Sequence, residues 1–321
     1  FALDSGNSVF LISWKNAGEN ESHLSWDDYV ERGIISSINV ILSVSNKRKV
    51  NTLGFCIGGT LLATAISVLQ GRGENRVNSL TLMASLLDFD DPGILEIFID
   101  EKNVLSREKT IGSKGIMPGS ELASTFSFLR SRDLVWNYVV ENYLKGKKPV
   151  AFDLLFWNSD SSNLPGPFFS WYLRNMYLEN NLKIPGKLKI CGQSIDLSKI
   201  KIPVYSMGAI EDHIVPWKSA FNSAHLFGGK SKFVLGASGH IAGCINPAQK
   251  NKRSFWTNKN DCSSPEQWLR SASEHPGSWW NDWKLWLEKY QGKQEKSKVR
   301  LGSKDFAPIE PAPGRYVLEK N

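Results

Sequence analysis

No stretch of the 321-residue chain approaches the ~20 consecutive apolar residues of a membrane-crossing helix, so no transmembrane segment is expected. Cysteine is scarce: Cys56, Cys191, Cys244 and Cys262 are widely spaced, and no C-x-x-C pair occurs. That spacing argues against a disulfide framework and against a structural zinc site, and it fits a reducing compartment. Basic residues outnumber acidic ones, giving a formal charge of +7, yet Lys47-Arg48-Lys49, Lys145 to Lys148 and Lys250 to Arg253 are short and scattered. None is interleaved with aromatics, so they read as solvated surface and no nucleic-acid partner is expected. The residues after Phe1 have no signal-peptide character, and a chain that does not open on Met reads as cut from a longer protein. With no secretory signal, the triplet Asn20-Glu21-Ser22 reads as a chance match to a glycosylation acceptor.

What the chain has in quantity is aromatic surface: 12 Trp, 8 Tyr and 16 Phe. Core packing accounts for most of it. The length exceeds that of one simple domain and calls for two domains or for one domain with a sizeable insertion.

Strand and helix signals alternate from the start. Ser8 to Trp14 is a continuous apolar run of the kind buried on both faces of a parallel sheet. Trp26 opens an amphipathic helix reaching about Val44, with Ser25 as N-cap and acidic residues in its first turn. Val50 to Leu53 is a short strand, Thr60 to Leu69 a helix, and Ser79 to Ala84 another strand. Connections too long for hairpins predict right-handed crossovers and a doubly wound, mostly parallel α/β sheet.

From Ser85 to about Ile200 that rhythm breaks into Pro-Gly turns and aromatic clusters such as Phe126 to Leu129, Trp136 to Tyr138 and Phe168 to Tyr172. Residues 86–200 are expected to form an inserted lid that excludes water, within a discontinuous core of residues 1–85 and 201–291. Strands then resume at Ile202 to Gly208 and Lys232 to Leu235, with a helix from Trp217 to about Phe227 between them. Trp279, Trp280, Trp283, Trp286, Leu287 and Tyr290 fall at helical spacing and read as a core-covering stripe. The tail, residues 292–321, is charged and then Pro-rich, and is expected to lie extended on the surface or to be mobile.

The chemistry concentrates at Gly54-Phe55-Cys56-Ile57-Gly58-Gly59. Glycines two positions to either side of a nucleophile-type residue, on a strand-to-helix turn, are what a nucleophile elbow requires, because a Cβ at those positions is expected to clash. A buried cysteine acting as a small hydrophobe is the competing reading. The following helix favours catalysis, since its dipole and free N–H groups support a thiolate and an oxyanion, the Ile57 backbone N–H being one donor. Asp212 and His240 fall, like Cys56, just beyond strand C-termini, where open α/β sheets place their reacting groups. The order Cys56, Asp212, His240 is that of the α/β-hydrolase fold. Singly, Asp212 reads equally well as a turn residue. His213 reads as a loop-stabilising hydrogen-bond donor rather than a second active-site imidazole, and His23, His225 and His275 have no catalytic context.

In this arrangement His240 either deprotonates Cys56 or holds it as a thiolate–imidazolium pair, and the sulfur attacks an acyl carbonyl. A second oxyanion donor is expected upstream of Ser8. Attack of a thiolate on a thioester gives another thioester, nearly isoenergetic, whereas a serine would give a less activated ester. The sequence therefore leans toward acyl transfer from a thiol carrier over hydrolysis.

The segments Gly54 to Thr60, Glu211-Asp212-His213-Ile214-Val215-Pro216-Trp217, Gly239 to Gly243 with Asn246-Pro247, and Pro276-Gly277-Ser278-Trp279-Trp280 resemble class I polyhydroxyalkanoate synthases. Phe152 to Asp160 and Tyr172 to Tyr177 are similar too, so the resemblance covers nearly the whole chain. It implies the C-terminal catalytic portion of such an enzyme, without the family's N-terminal domain. It implies polymerisation of short-chain (R)-3-hydroxyacyl-CoA with release of CoA, with no cofactor beyond the substrate's own coenzyme A and no metal. Cys56 would carry the acyl chain, His240 would activate its thiol, and Asp212 would activate the substrate hydroxyl, directly or through His240. A homodimer on cytoplasmic polyhydroxyalkanoate granules is the expected setting. The alternatives are a cysteine-nucleophile lactone hydrolase or depolymerase of the same fold, and a non-catalytic granule-binding protein.

Overall fold

The computed structural model describes residues 1–129, 131, 135–149, 160–260, 262–296 and 301–319. Within them the chain divides into two compact units, Phe1–Ile12 with Trp26–Asp100 and Leu173–Ala307, and Ser13–Ser25 with Glu101–Tyr172 and Pro308–Asn321. Of the span 86–200, Glu101–Tyr172 thus belongs to the second unit, and the residues flanking it belong to the first.

The first unit is built on six strands: β1 (Val50–Phe55), β2 (Val77–Met83), β3 (Val204–Ala209), β4 (Ser231–Gly236), β5 (Ser254–Thr257) and β6 (Ser273–Pro276), adjacent in that order. The first four are parallel; β5 runs antiparallel to β4, and β6 antiparallel to β5. The mostly parallel α/β sheet read from the sequence is present. Its centre is its most apolar part: every residue of β3 and all but one of β2 are buried, as both-face coverage demands. The outermost β1 instead alternates, with Leu53 44% exposed. Strands β5 and β6 carried no sequence signal. Both are four residues long, and β6 (Ser-Glu-His-Pro) is a polar edge ending on Pro, tolerated where no further ladder bond is required.

The helices follow the same logic. The run from Trp26 to Ser45 is helical throughout, with a π segment at Tyr29–Ile35 before α1 (Ser36–Ser45). Helix α2 (Ile57–Gly71) buries everything from Gly59 to Leu69, so its small and apolar residues lie deep in the unit. Helix α3 (Trp217–Ala224) sits between β3 and β4 in the chain, and α4 (His240–Cys244) and α5 (Pro265–Arg270) follow β4 and β5. In α6 (Trp279–Leu287), Trp279, Trp283 and Trp286 are buried, and the Trp283 indole donates to Thr81 Oγ1 of β2 at 3.0 Å. Tyr205 of β3 packs against Trp279 and Trp286 at 6.2 and 5.3 Å between ring centres. The tryptophan stripe covers the sheet.

One expected strand is not there. Ser8 to Trp14 has no strand structure, and Leu11 is 91% exposed. An apolar run becomes a strand only where a neighbour completes its ladder, and no described segment pairs with this one.

The second unit holds helices Glu101–Ile111, Gly119–Leu129 and Gly166–Tyr172 and a small ladder of Ile116–Met117 with Leu164–Pro165. Gly166 is the close approach: a Cβ there would lie 2.0 Å from the Ile111 carbonyl oxygen. Segment 13–25 is stitched to both other parts of this unit, Asn163 donating to the Ala17 carbonyl and the Asn16 N–H donating to the Tyr316 hydroxyl. The tail is thus anchored at Tyr316. The motif residues Phe152 to Ser159 lie outside the described residues.

Candidate active site

The elbow forms as a direct consequence of crowding. Leaving β1, the chain reverses at Cys56, whose φ of 53° and ψ of −128° put a non-glycine residue in the strained positive-φ region and make it the N-cap of α2. The Cys56 N–H donates to the Met83 carbonyl at 2.9 Å, pinning the turn to the end of β2. A Cβ on Gly54 would lie 2.6 Å from Gly59 Cα, and one on Gly59 would lie 2.0 Å from Ser85 Oγ. Gly58 is different, with nothing within 4 Å of its Cβ position. The glycines that the turn needs are therefore Gly54 and Gly59, which corrects the expectation that Gly54 and Gly58 are the crowded pair. Strand and helix approach each other at Gly54 and Gly59, while Gly58 faces open space.

Asp212 comes from the loop after β3. Its N–H donates to the Ala209 carbonyl, and its Oδ1 accepts from the N–H groups of Ile214 and Val215, both at 2.9 Å, so the loop wraps around its own side chain. The other oxygen, Oδ2, lies 2.6 Å from His240 Nδ1, and the carboxylate is fully buried. Asp212 thus serves a turn and a histidine at once. His240 opens α4, directly after β4 and the Gly236 to Gly239 loop. Its ring lies 4.9 Å from the Phe55 ring, centre to centre, and the Cys56 side chain is near enough to act on it electrostatically. With Nδ1 turned to Asp212, Nε2 is the nitrogen left for the sulfur.

Burial works against a charge on His240, but the hydrogen bond to Asp212 and the nearby Cys56 side chain outweigh it and raise its pKa to about 10. The ring is accordingly held as a cation at neutral pH. Two other cysteines have raised thiol pKa values. Burial pushes the Cys244 thiol well up, and burial with the nearby Asp27 and Glu31 carboxylates pushes Cys191 up to about 12. Neither is set up as a nucleophile.

The structure therefore brings Cys56, Asp212 and His240 together, all within the first unit. The Ile57 N–H begins α2 and, as in any first helical turn, has no helical partner. His213 follows Asp212 in the same loop, half-buried, and its carbonyl lies 3.1 Å from where a Cβ on Gly93 would sit. No group of three or more His, Cys, Asp or Glu among the described residues could hold a metal ion. Sequence reasoning missed Phe55, whose contact with the imidazole depends on the elbow bringing β1 against the α4 loop. It also missed Ser85, the residue against which Gly59 closes.

This sheet, with a strained cysteine after one strand and an aspartate and a histidine after two later ones, is that of a hydrolase-type fold, and the chain belongs to the alpha/beta hydrolase fold family, whose model matches residues 2–247. Its relatives are more specific. The chain is 53% identical over 99% of its length to the poly(3-hydroxyalkanoate) polymerase subunit PhaC of Cupriavidus necator, covering 55% of that protein. It is 40% identical to the corresponding subunit of Rhizobium meliloti, covering 99% of this chain and 51% of that one, and 39% identical to that of Rhizobium etli, covering 100% and 50%. The chain thus spans about half the length of these relatives.

Proposed function

We propose that this chain is the catalytic portion of a polyhydroxyalkanoate synthase, which polymerises short-chain (R)-3-hydroxyacyl-CoA through a thioester on Cys56. One observation carries the reading: a cysteine at a strained elbow, beside a histidine that is itself held by a fully buried Asp212. The similarity to named poly(3-hydroxyalkanoate) polymerases supplies the substrate class.

The Cys56 sulfur, its proton held by His240 Nε2, attacks the thioester carbonyl, whose developing oxyanion faces the Ile57 N–H. The bond from acyl carbon to CoA sulfur breaks, and CoA leaves with the proton returned by His240. The acyl group now sits on Cys56 as a second thioester, still activated. The 3-hydroxyl of another acyl unit loses its proton to His240 and attacks the Cys56 thioester carbonyl; the ester bond that lengthens the chain forms, the bond from acyl carbon to Cys56 sulfur breaks, and the sulfur is again the partner of the protonated His240. Asp212 has its oxygens engaged by Ile214, Val215 and His240, which favours an action on that hydroxyl through His240 over direct contact. The aromatic insertion is assigned the role of a lid that keeps water from the thioester. Dimerisation and attachment to polymer granules in the cytoplasm belong to the same proposal; no described helix is long and apolar enough to cross a membrane.

Incubating the full-length protein with 3-hydroxybutyryl-CoA tests this reading. Polymer with stoichiometric CoA is expected. Free 3-hydroxybutyrate without polymer would identify a hydrolase, and no turnover would leave only a binding role.

A further inference from the structure

Helix α4, which carries His240, is five residues long, too short to hold itself together. Its position is set by what grips it, and the grip is unusual. The Trp279 indole N–H donates to the Gly243 carbonyl at 2.8 Å and the Trp280 indole N–H to the Cys244 carbonyl at 3.0 Å, so two adjacent side chains satisfy carbonyls at the C-terminal end of the histidine helix. Their rings stack 4.3 Å apart, centre to centre. Ser278 secures the start of α6 by accepting from the Trp280 N–H and donating to Asn246, whose amide in turn donates to Gly243. On its other side α4 is seated on β3: a Cβ on Gly243 would lie 2.8 Å from that of Ala209. Ala209 ends β3 and accepts from the Asp212 N–H. The indoles therefore press the His240 helix onto the strand that presents Asp212.

We infer that Trp279 and Trp280 are positioning residues for His240, acting through α4 to hold the imidazole between Asp212 and Cys56. The inference rests on His240 serving as the base for Cys56. In this reading the helical spacing of the tryptophans covers the sheet, and the indole nitrogens of the first two fix the active site.

The test uses full-length protein carrying Trp279→Phe and Trp280→Phe, singly and together, so that aromatic rings remain and the N–H donors are lost. Alkylation of Cys56 by iodoacetamide, followed on its own peptide by mass spectrometry from about pH 6 to about pH 9, reads the state of the sulfur–imidazole pair without any substrate. In the double variant the rate at the acid end is expected to fall roughly tenfold relative to the alkaline end. Trp283→Phe is the matched control, because it deletes an indole bond from the same helix to Thr81 and leaves α4 untouched. An unchanged profile in the double variant, or an equal change in Trp283→Phe, overturns the inference. Should the double variant fail to fold, Trp280→Phe alone, at a half-buried site, is expected to shift the profile the same way by roughly threefold, and no shift there overturns it equally. His240→Gln separates the two levels. If it leaves the profile unchanged, the base assignment itself fails; if it alters the profile while the indole variants do not, only the positioning role fails.

Discussion

At the scale of single residues, Asp212 and His240 form one unit. Asp212→Asn keeps an oxygen for the Ile214 and Val215 N–H groups but replaces the anion that His240 Nδ1 faces, so the loop survives while the imidazole loses its preferred tautomer and charge. Acylation of Cys56 is expected to slow by roughly 10²- to 10⁴-fold, read as the first burst of CoA release in rapid quench, with little change in unfolding midpoint. A burst of wild-type size with only elongation slowed would return Asp212 to the substrate hydroxyl alone. The same pair makes stability depend on pH. Because the pKa of His240 rises from 6.5 to about 10 on folding, the folded protein binds the proton more tightly. The stabilisation is then full below about pH 6.5 and disappears as pH climbs to about 10. Urea midpoints of wild type and His240→Gln are expected to converge over that interval; a constant gap would mean that the histidine is not charged in the folded state. Cys56, Asp212 and His240 were all legible in the sequence, since each is a reactive side chain just past an apolar run. The divided role of Asp212 was not, because which oxygen meets which donor is decided by the loop's path.

At the scale of elements, the strand-to-helix turn depends on two close approaches. Gly59→Ala must displace Ser85 and is expected to cost roughly 1–3 kcal/mol in urea titration. Gly58→Ala meets no atom and is expected to stay within ~0.5 kcal/mol of wild type. Equal costs would mean that the turn is shaped otherwise. The motif told us that glycines matter here, but which two of Gly54, Gly58 and Gly59 are crowded depends on the crossing of β1 and α2. The buried centre of the sheet was readable because β2 and β3 are apolar on both faces. Ser8 to Trp14 misled for a related reason: its composition resembles theirs, and composition carries no information about whether a partner strand is present. The Trp279 to Tyr290 spacing gave a covering helix correctly, yet hydrogen bonds from its indoles to α4 are invisible to periodicity.

At the scale of the whole molecule, the reactive residues are spread over the sequence, and the sheet brings them to one edge. Parallel order from β1 to β4 puts the C-terminal ends of β1, β3 and β4 on the same side, which is how a cysteine, an aspartate and a histidine from three loops meet. In the proposed function, sulfur at that meeting point favours transfer over hydrolysis, because an acyl group held on it as a thioester would stay activated until a hydroxyl arrives. The most direct test is to quench the full-length protein during turnover of 3-hydroxybutyryl-CoA and locate the bound acyl group by peptide mass spectrometry. The expected result is a 3-hydroxybutyryl thioester on Cys56, with neither adduct nor CoA release in Cys56→Ala; an acyl group on another residue, or CoA release that survives Cys56→Ala, would contradict it.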